Sequence, residues 1–356
     1  MPSRDLLISI VITNYNYGRY VREAIESALA QTHSAIQVIV VDDGSTDESR
    51  SIIEAYGERV IPVLKENGGQ ASAFNAGFRL ASGGAIIFLD ADDTLNGDTA
   101  AKVAKEFAAR PELAKVHYRL ELMDRNGRPT GGSTPPVGLH LSAGDLRKAL
   151  RAHPDDVTYP PASGNAFAVW ALRRVLPMPE HEYRILADVY LLNMVPLLGP
   201  VEALPEAGGH YRVHDANSHH TSSLRLDRVR ATVRTIHATH GYMRKLADSL
   251  GLEGFPDPEL DDRSLVFLSQ RLVSQKLEPE LHPFPADGLR RLATEGAAAA
   301  LRRADLPLGL RLLYATWFLA TAAAPRPAAT WLAEQMLYPE RRGMLSSVVE
   351  RLRVRS

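Results

Sequence analysis

The sequence predicts an α/β fold, a mainly parallel sheet flanked by helices, followed by an α-helical C-terminal region. Three observations carry this prediction. Through residue 93, β-branched apolar runs alternate with segments of helical period, the order that builds a parallel sheet covered on both faces. Polar clusters at 13–17, 42–45 and 90–93 each follow an apolar run, and ligands of such sheets bind beyond the carboxyl ends of the strands. Near residue 222 the composition shifts and the 3.6-residue period of helices takes over. The expected division is 1–221 for the α/β domain and 222–356 for the helical region.

Taken in order, "LLISIVIT" (6–13) is a strand, ended by the turn-forming "NYNYGRY". Val21, Ile25, Ala28 and Leu29 then recur at helical spacing. "IQVIVVDD" (36–43) predicts a second buried strand, "SIIEAYG" a short helix, and "RVIPVLKE" a third strand interrupted by Pro62. "GQASAFNAGFRLAS" predicts a helix ending at Gly83-Gly84, and "AIIFLDADD" a fourth strand. Between Pro111 and Pro161 the pattern weakens. There "VHYRLELMDRNGRPTG" predicts a hairpin turning at Asn126-Gly127, and the Gly/Pro/Ser-rich stretch 127–142 a surface loop. "ASGNAFAVWALRRV" and "EYRILADVYLLNMVPLLG" are helices or strand-helix junctions.

With 356 residues the chain can bury a real core. Lys and Arg number 41 against 42 Asp and Glu, a formal net charge of −1, which lacks the broad positive field of a nucleic-acid binder. From Leu301 onward nine arginines face four acidic residues, so basic character is confined to the tail. The absence of cysteine excludes disulfides, thiolate metal sites and a thiol nucleophile. The apolar run in "MPSRDLLISIVIT" is too short for a secretory signal, and a cytoplasmic protein is expected.

Asp90, Asp92 and Asp93 stand within four positions, directly after an apolar run. Alone, such a cluster is commonly a solvated turn. Asp42 and Asp43 end a neighbouring strand, however, and two carboxylate clusters in one crevice repel unless a cation absorbs the charge. A hard divalent metal, Mn²⁺ or Mg²⁺, takes oxygen ligands and is usually completed by substrate phosphates. Metal plus diphosphate is the economical reading.

"SIVITNYNYGRYVREAIESALAQTH", "VIVVDDGSTDES", "NGGQASAFNAG" and "IIFLDADD", in this order and spacing, resemble the GT-A (Rossmann-like) glycosyltransferases of family 2. The resemblance covers roughly residues 7–215 and thins between 111 and 160. It implies that Thr13 and Tyr15 line a uracil pocket and that Asp43 accepts from the base. It further implies that Asp92 supports the ribose, Asp93 holds the metal, and Asp90 supports the nucleotide site. By the same resemblance Ser163, Gly164 and Asn165 lie on the acceptor side, His214 approaches the metal or diphosphate, and Asp188 is the general base. Bland alternatives stay open: a turn before a helix for 163–165, a helix-start aspartate favoured by the macrodipole for Asp188, and a solvated loop histidine for His214. His210, His219 and His220 have no role. The sequence departs from the family pattern at Ala187, where a glutamate is usual, and at Phe74, where many relatives carry arginine.

The activity so implied is that of a metal-dependent inverting glycosyltransferase. Its donor would be a nucleotide-sugar, a UDP-sugar above all, and its acceptor a hydroxyl of a glycan or lipid-linked molecule in cell-surface polysaccharide or glycoconjugate synthesis. A non-catalytic glycan or membrane assembly module that retains the fold is a second reading. A sugar-nucleotide nucleotidylyltransferase is a third, although "TNYNYGRY" has one glycine and lacks the Gly-rich basic loop that cradles a triphosphate. In the tail, the uncharged part of "LGLRLLYATWFLATAAAP" is shorter than the ~20 residues of a membrane span. With "MLSSVVERLRVRS" it has the arginine-flanked apolar pattern of peripheral membrane contact at the inner face of the cytoplasmic membrane. A packed helical subdomain or a homo-oligomer contact is the alternative.

Overall fold

The computed structural model describes residues 6–154, 157–214, 224–255, 264–303 and 306–337. The segment "MLSSVVERLRVRS", His219 and His220 lie outside the described residues. The chain forms two compact units, Met1–Leu150 with Val157–Asp215, and Arg151–Asp156 with Ala216–Ser356.

The first unit begins with β1 (Ile8–Asn14), α1 (Gly18–Leu29), β2 (Ile36–Asp43), α2 (Ser49–Glu54), β3 (Ile61–Lys65), α3 (Gln70–Leu80) and β4 (Ala85–Asp90). There follow β5 (Thr94–Leu95), α4 (Thr99–Ala109), β6 (Lys115–His117), β7 (Leu120–Met123), β8 (Pro129–Thr134) and α5 (Arg147–Ala152), the last reaching the boundary between units. It continues through β9 (Asn165–Ala168), α6 (Val169–Val175), α7 (Ala187–Met194), β10 (Val201–Ala203) and β11 (Gly209–Arg212).

A seven-stranded sheet runs in the order β10-β6-β9-β4-β1-β2-β3. It is parallel except at β9, which pairs antiparallel with both β4 and β6. The β-branched runs of β1, β2 and β4 are its buried centre, every residue of Ile8–Asn14 being buried. Pro62 lies in β3, at the edge of the sheet, where a missing N–H breaks no ladder. Register aligns the strand ends: Asn14 stands opposite Asp42 and Thr13 opposite Asp90, so the three polar clusters share one rim. Gly77 lets α3 settle on the sheet, since a Cβ there would lie 2.2 Å from Val11 Cγ1.

The structure corrects two readings in the weakly patterned region. Val116 and His117 belong to the large sheet, so the hairpin is β7-β8, starting at Leu120; Gly127 takes the left-handed φ of +79° in its turn. Residues 129–134 are a strand of a second sheet, β5-β11-β7-β8, and not loop. Helix α4, which the sequence reading passed over, buries Ala100, Val103, Ala104 and Phe107 at helical spacing.

The second unit contains α8 (Leu226–Ser249), α9 (Leu265–Leu277), α10 (Leu289–Arg302), α11 (Leu308–Ala323) and α12 (Arg326–Leu337). Leu268, Leu272, Leu292, Phe318, Ala329 and Ala333 are among the residues of its core. Among the described residues no helix is long and apolar enough to cross a membrane.

Candidate active site

The rim of the sheet gathers carboxylates from different elements. Asp90 ends β4, and Asp92 and Asp93 follow in the turn to β5. Asp188, partly exposed in the first turn of α7, is close enough for its charge to act on Asp90. Burial first, then Asp92 and Asp188, push the Asp90 carboxyl up to about 8. Burial, with Asp92 and Asp90, likewise raises Asp93 well above the usual carboxylate range.

Each of the three neighbours has a distinct set of partners. Asp90 Oδ1 accepts from Thr13 Oγ1 at 3.4 Å. Asp92 Oδ2 lies 3.0 Å from His214 Nε2, and the His214 ring packs 5.0 Å from Tyr20 and 5.7 Å from Tyr17. Asp93 is committed on both oxygens: Oδ1 accepts from the Arg212 backbone N–H at 2.9 Å, and Oδ2 from Ser163 Oγ at 2.7 Å. With its carboxylate 1% exposed and bonded this way, Asp93 is a structural anchor. Asp93, expected as the metal ligand, thus has both oxygens engaged within the fold, whereas Asp92 meets His214 at the rim.

Thr13 is the last residue but one of β1, and Tyr15, just beyond the strand, is 48% exposed. Asp43 holds the loop after β3: it accepts from Lys65 Nζ at 2.5 Å, Asn67 Nδ2 at 3.1 Å, and the Gly68 and Gly69 backbone N–H groups at 2.9 and 2.7 Å. Four donors thus meet the carboxylate that was expected to accept from a base, and they fix that loop to the end of β2. Phe74 explains its departure from arginine by packing: it is buried and stacked on Phe88 with centroids 4.4 Å apart.

The residues expected on the acceptor side lie beneath the rim. Ser163, Gly164 and Asn165 are all buried. Ser163 donates to Asp93 and accepts from the Asp90 N–H. Gly164 has no room for a Cβ, which would stand 2.7 Å from the Tyr118 carbonyl oxygen. Asn165 Nδ2 ties down the carbonyls of Pro160, Pro161 and Ala162. All three brace the site from inside.

Three residues escaped the sequence reading. Arg212 has a fully buried side chain whose Nε donates to the Asp92 carbonyl at 2.8 Å and whose NH2 group donates to Glu23 at 2.6 Å. It puts a fixed positive charge beneath the aspartates. The signal was an arginine two positions before His214, at the end of a short strand. Tyr17 faces the same cluster; burial, then Asp92, Asp90 and Asp93, raise its hydroxyl, which stays protonated and able to donate. Gln70, at the head of α3, accepts from the Ala187 N–H at the head of α7 at 2.9 Å.

A mainly parallel sheet with carboxylates at its rim, closed by a second small sheet that brings in Arg212 and His214, defines the GT-A class of glycosyltransferase fold. The family model for glycosyl transferase family 2 matches residues 9–174. An uncharacterized glycosyltransferase of Nostoc sp. is 34% identical over 249 residues, 68% of this chain and 76% of that protein. The chain belongs to glycosyl transferase family 2. Over a shorter stretch it is similar to a hyaluronan synthase of Pasteurella multocida, 40% identical over 132 residues, 36% of this chain but 13% of that one. Among solved structures, a fragment of S. aureus TarS in complex with UDP-GlcNAc shares the fold, with a TM-score of 0.52 at 16% identity over 89% of this chain and 90% of that one.

Proposed function

We propose that this chain transfers a sugar from a nucleotide-diphosphate donor, a UDP-sugar, to a hydroxyl of a glycan or lipid-linked acceptor, with inversion at the anomeric carbon. The observation that carries this reading is the convergence of Asp90, Asp92 and Asp188 on one crevice, where burial and repulsion push the Asp90 carboxyl up to about 8. A solvated turn gives no reason for that cost; a site completed by a divalent cation does.

A divalent metal fits the donor set in one respect and needs help in another. Asp92 Oδ2 and His214 Nε2 offer one hard oxygen and one imidazole nitrogen 3.0 Å apart. Among the described residues no cluster of three metal-ligating side chains forms. Mn²⁺ or Mg²⁺ held by Asp92 and His214 therefore relies on diphosphate oxygens, as such metals commonly do. When bound, it supplies charge stabilisation for the departing diphosphate.

The chain's own groups do the rest. Thr13 and Asp90 face the ribose, and Tyr15 is the exposed ring available to the base. Asp188 takes the proton from the acceptor hydroxyl as that oxygen attacks the anomeric carbon. Its place in the first turn of α7 favours the ionised form. The similarity to a hyaluronan synthase supports a polysaccharide or glycoconjugate acceptor. Leu308, Leu312 and Leu319 of α11 and Trp331 of α12 are exposed, which supports meeting a lipid-linked acceptor at a membrane face.

A thermal-shift screen of nucleoside diphosphates with and without Mn²⁺ or Mg²⁺ tests the reading. UDP at a hundredfold excess over its dissociation constant adds about 2.7 kcal/mol to the unit that binds it. The largest shift is expected with UDP and metal together. If no nucleoside diphosphate gives a metal-linked shift, the proposal is wrong.

A further inference from the structure

Gln70 opens α3, directly after the Gly68-Gly69 pair whose N–H groups hold Asp43. Its side chain reaches across the crevice. Oε1 accepts from the Ala187 backbone N–H at 2.9 Å. The bond joins different elements: Gln70 starts α3, and Ala187 starts α7 beside Asp188.

The start of α7 depends on outside support. The first N–H groups of a helix have no partner within it, and the N-cap here is Leu186, whose side chain makes no capping bond. Leu186 also holds a left-handed φ of 61°, a conformation a leucine adopts only under constraint. The constraint is the head of α3. Gln70 N–H donates to the Arg184 carbonyl at 2.9 Å, and Ala71 N–H to the Tyr183 carbonyl at 3.2 Å. Gly69, at φ 90°, lies so close that a Cβ would stand 2.6 Å from the Arg184 carbonyl oxygen.

We propose that Gln70 is a positioning residue whose side-chain carbonyl holds the first turn of α7 against the head of α3, fixing the spacing between Asp188 and the carboxylates at the end of β4. The role in catalysis rests on the reading of Asp188 as the base. Reaction rates are sensitive to such spacing, because a displacement of about 1 Å can cost on the order of a hundredfold.

The test uses the full chain with Gln70→Leu and Gln70→Glu, and Gln70→Met as a second amide-free variant should the leucine not fold. Three quantities are measured: amide hydrogen exchange over 184–194, UDP affinity in Mn²⁺ by calorimetry, and kcat with KM for the donor. In Gln70→Leu, exchange in the first turn of α7 rises by roughly tenfold or more. Over the same change kcat falls roughly 10- to 100-fold, while UDP affinity stays within about threefold. Gln70→Glu keeps an acceptor for the Ala187 N–H, so its first-turn protection returns toward that of the unsubstituted chain. Unchanged exchange in both amide-free variants overturns the proposal. So does a loss of UDP affinity equal to the loss of kcat, which would make Gln70 a donor-binding group. An exchange response in a chain that transfers no sugar at all would uphold the tie and refute the role given to Asp188.

Discussion

At the scale of single residues, Asp92 and Asp188 share one electrostatic field and are separable by experiment. Asp188→Asn removes a proton acceptor from the acceptor side. Transfer is expected to fall roughly 10²- to 10⁴-fold, the usual worth of a general base, with UDP binding in Mn²⁺ retained. Asp92→Asn removes a hard ligand and is expected to abolish metal-linked UDP stabilisation, which calorimetry with and without Mn²⁺ would read. Asp93→Asn is expected to lower the melting temperature instead, because it disturbs the bonds to Ser163 and Arg212. The aspartates were visible in the sequence, but their division of labour was not. Which of two adjacent carboxylates is consumed by the fold depends on a backbone N–H at Arg212, 119 positions away. Nor could the spelling of 163–165 reveal that all three residues point into the protein.

At the scale of elements, legibility followed length. The strands β1, β2 and β4 and helices α1 and α3 are long enough to display a period, and each was found where its pattern placed it. Strands β5, β7 and β11 have two to four residues, too few for alternation to stand out, and the second sheet they build with β8 was reduced to one hairpin. Close helix contacts were hidden for a different reason. Gly296 in α10 looks like a mild helix weakness, yet a Cβ there would lie 2.2 Å from Phe318 Cδ1 of α11. Gly296→Ala gains about 1 kcal/mol of helix propensity. Against this, Phe318 is fully buried and cannot swing aside, so overpacking of roughly 1–3 kcal/mol is set against that gain. Net destabilisation of the helical unit is expected, read as a lower denaturant midpoint at unchanged slope.

For the whole molecule, buried titratable groups make stability depend on pH in opposing directions, and the site contributes a recognisable share. Asp90 has its pKa raised in the fold to about 8, against roughly 3.9 in an unfolded chain. Its contribution is therefore complete at pH below about 4 and is lost as pH rises through 8. Asp93, raised by burial and its neighbours, acts in the same sense. Lys115 and His117, side by side in β6, are both held down by burial, His117 to about 2. They oppose the trend, since the unfolded chain binds protons that the fold refuses. Asp287 in the helical unit is a third case: burial raises it, but His282, Arg271 and Arg291 bond it and hold it low. It loses stability only in acid, below about pH 4. Because these slopes cancel in part, the decisive measurement is a difference. Asp90→Asn cannot release a proton, so in the absence of ligand it should gain stability over the unsubstituted chain by up to about 1.4 kcal/mol per pH unit between pH 5 and 8. Calorimetric scans of both chains across that range provide the comparison. Parallel curves would show that Asp90 is ionised throughout, and that the crevice holds its charges without the cationic partner proposed for it.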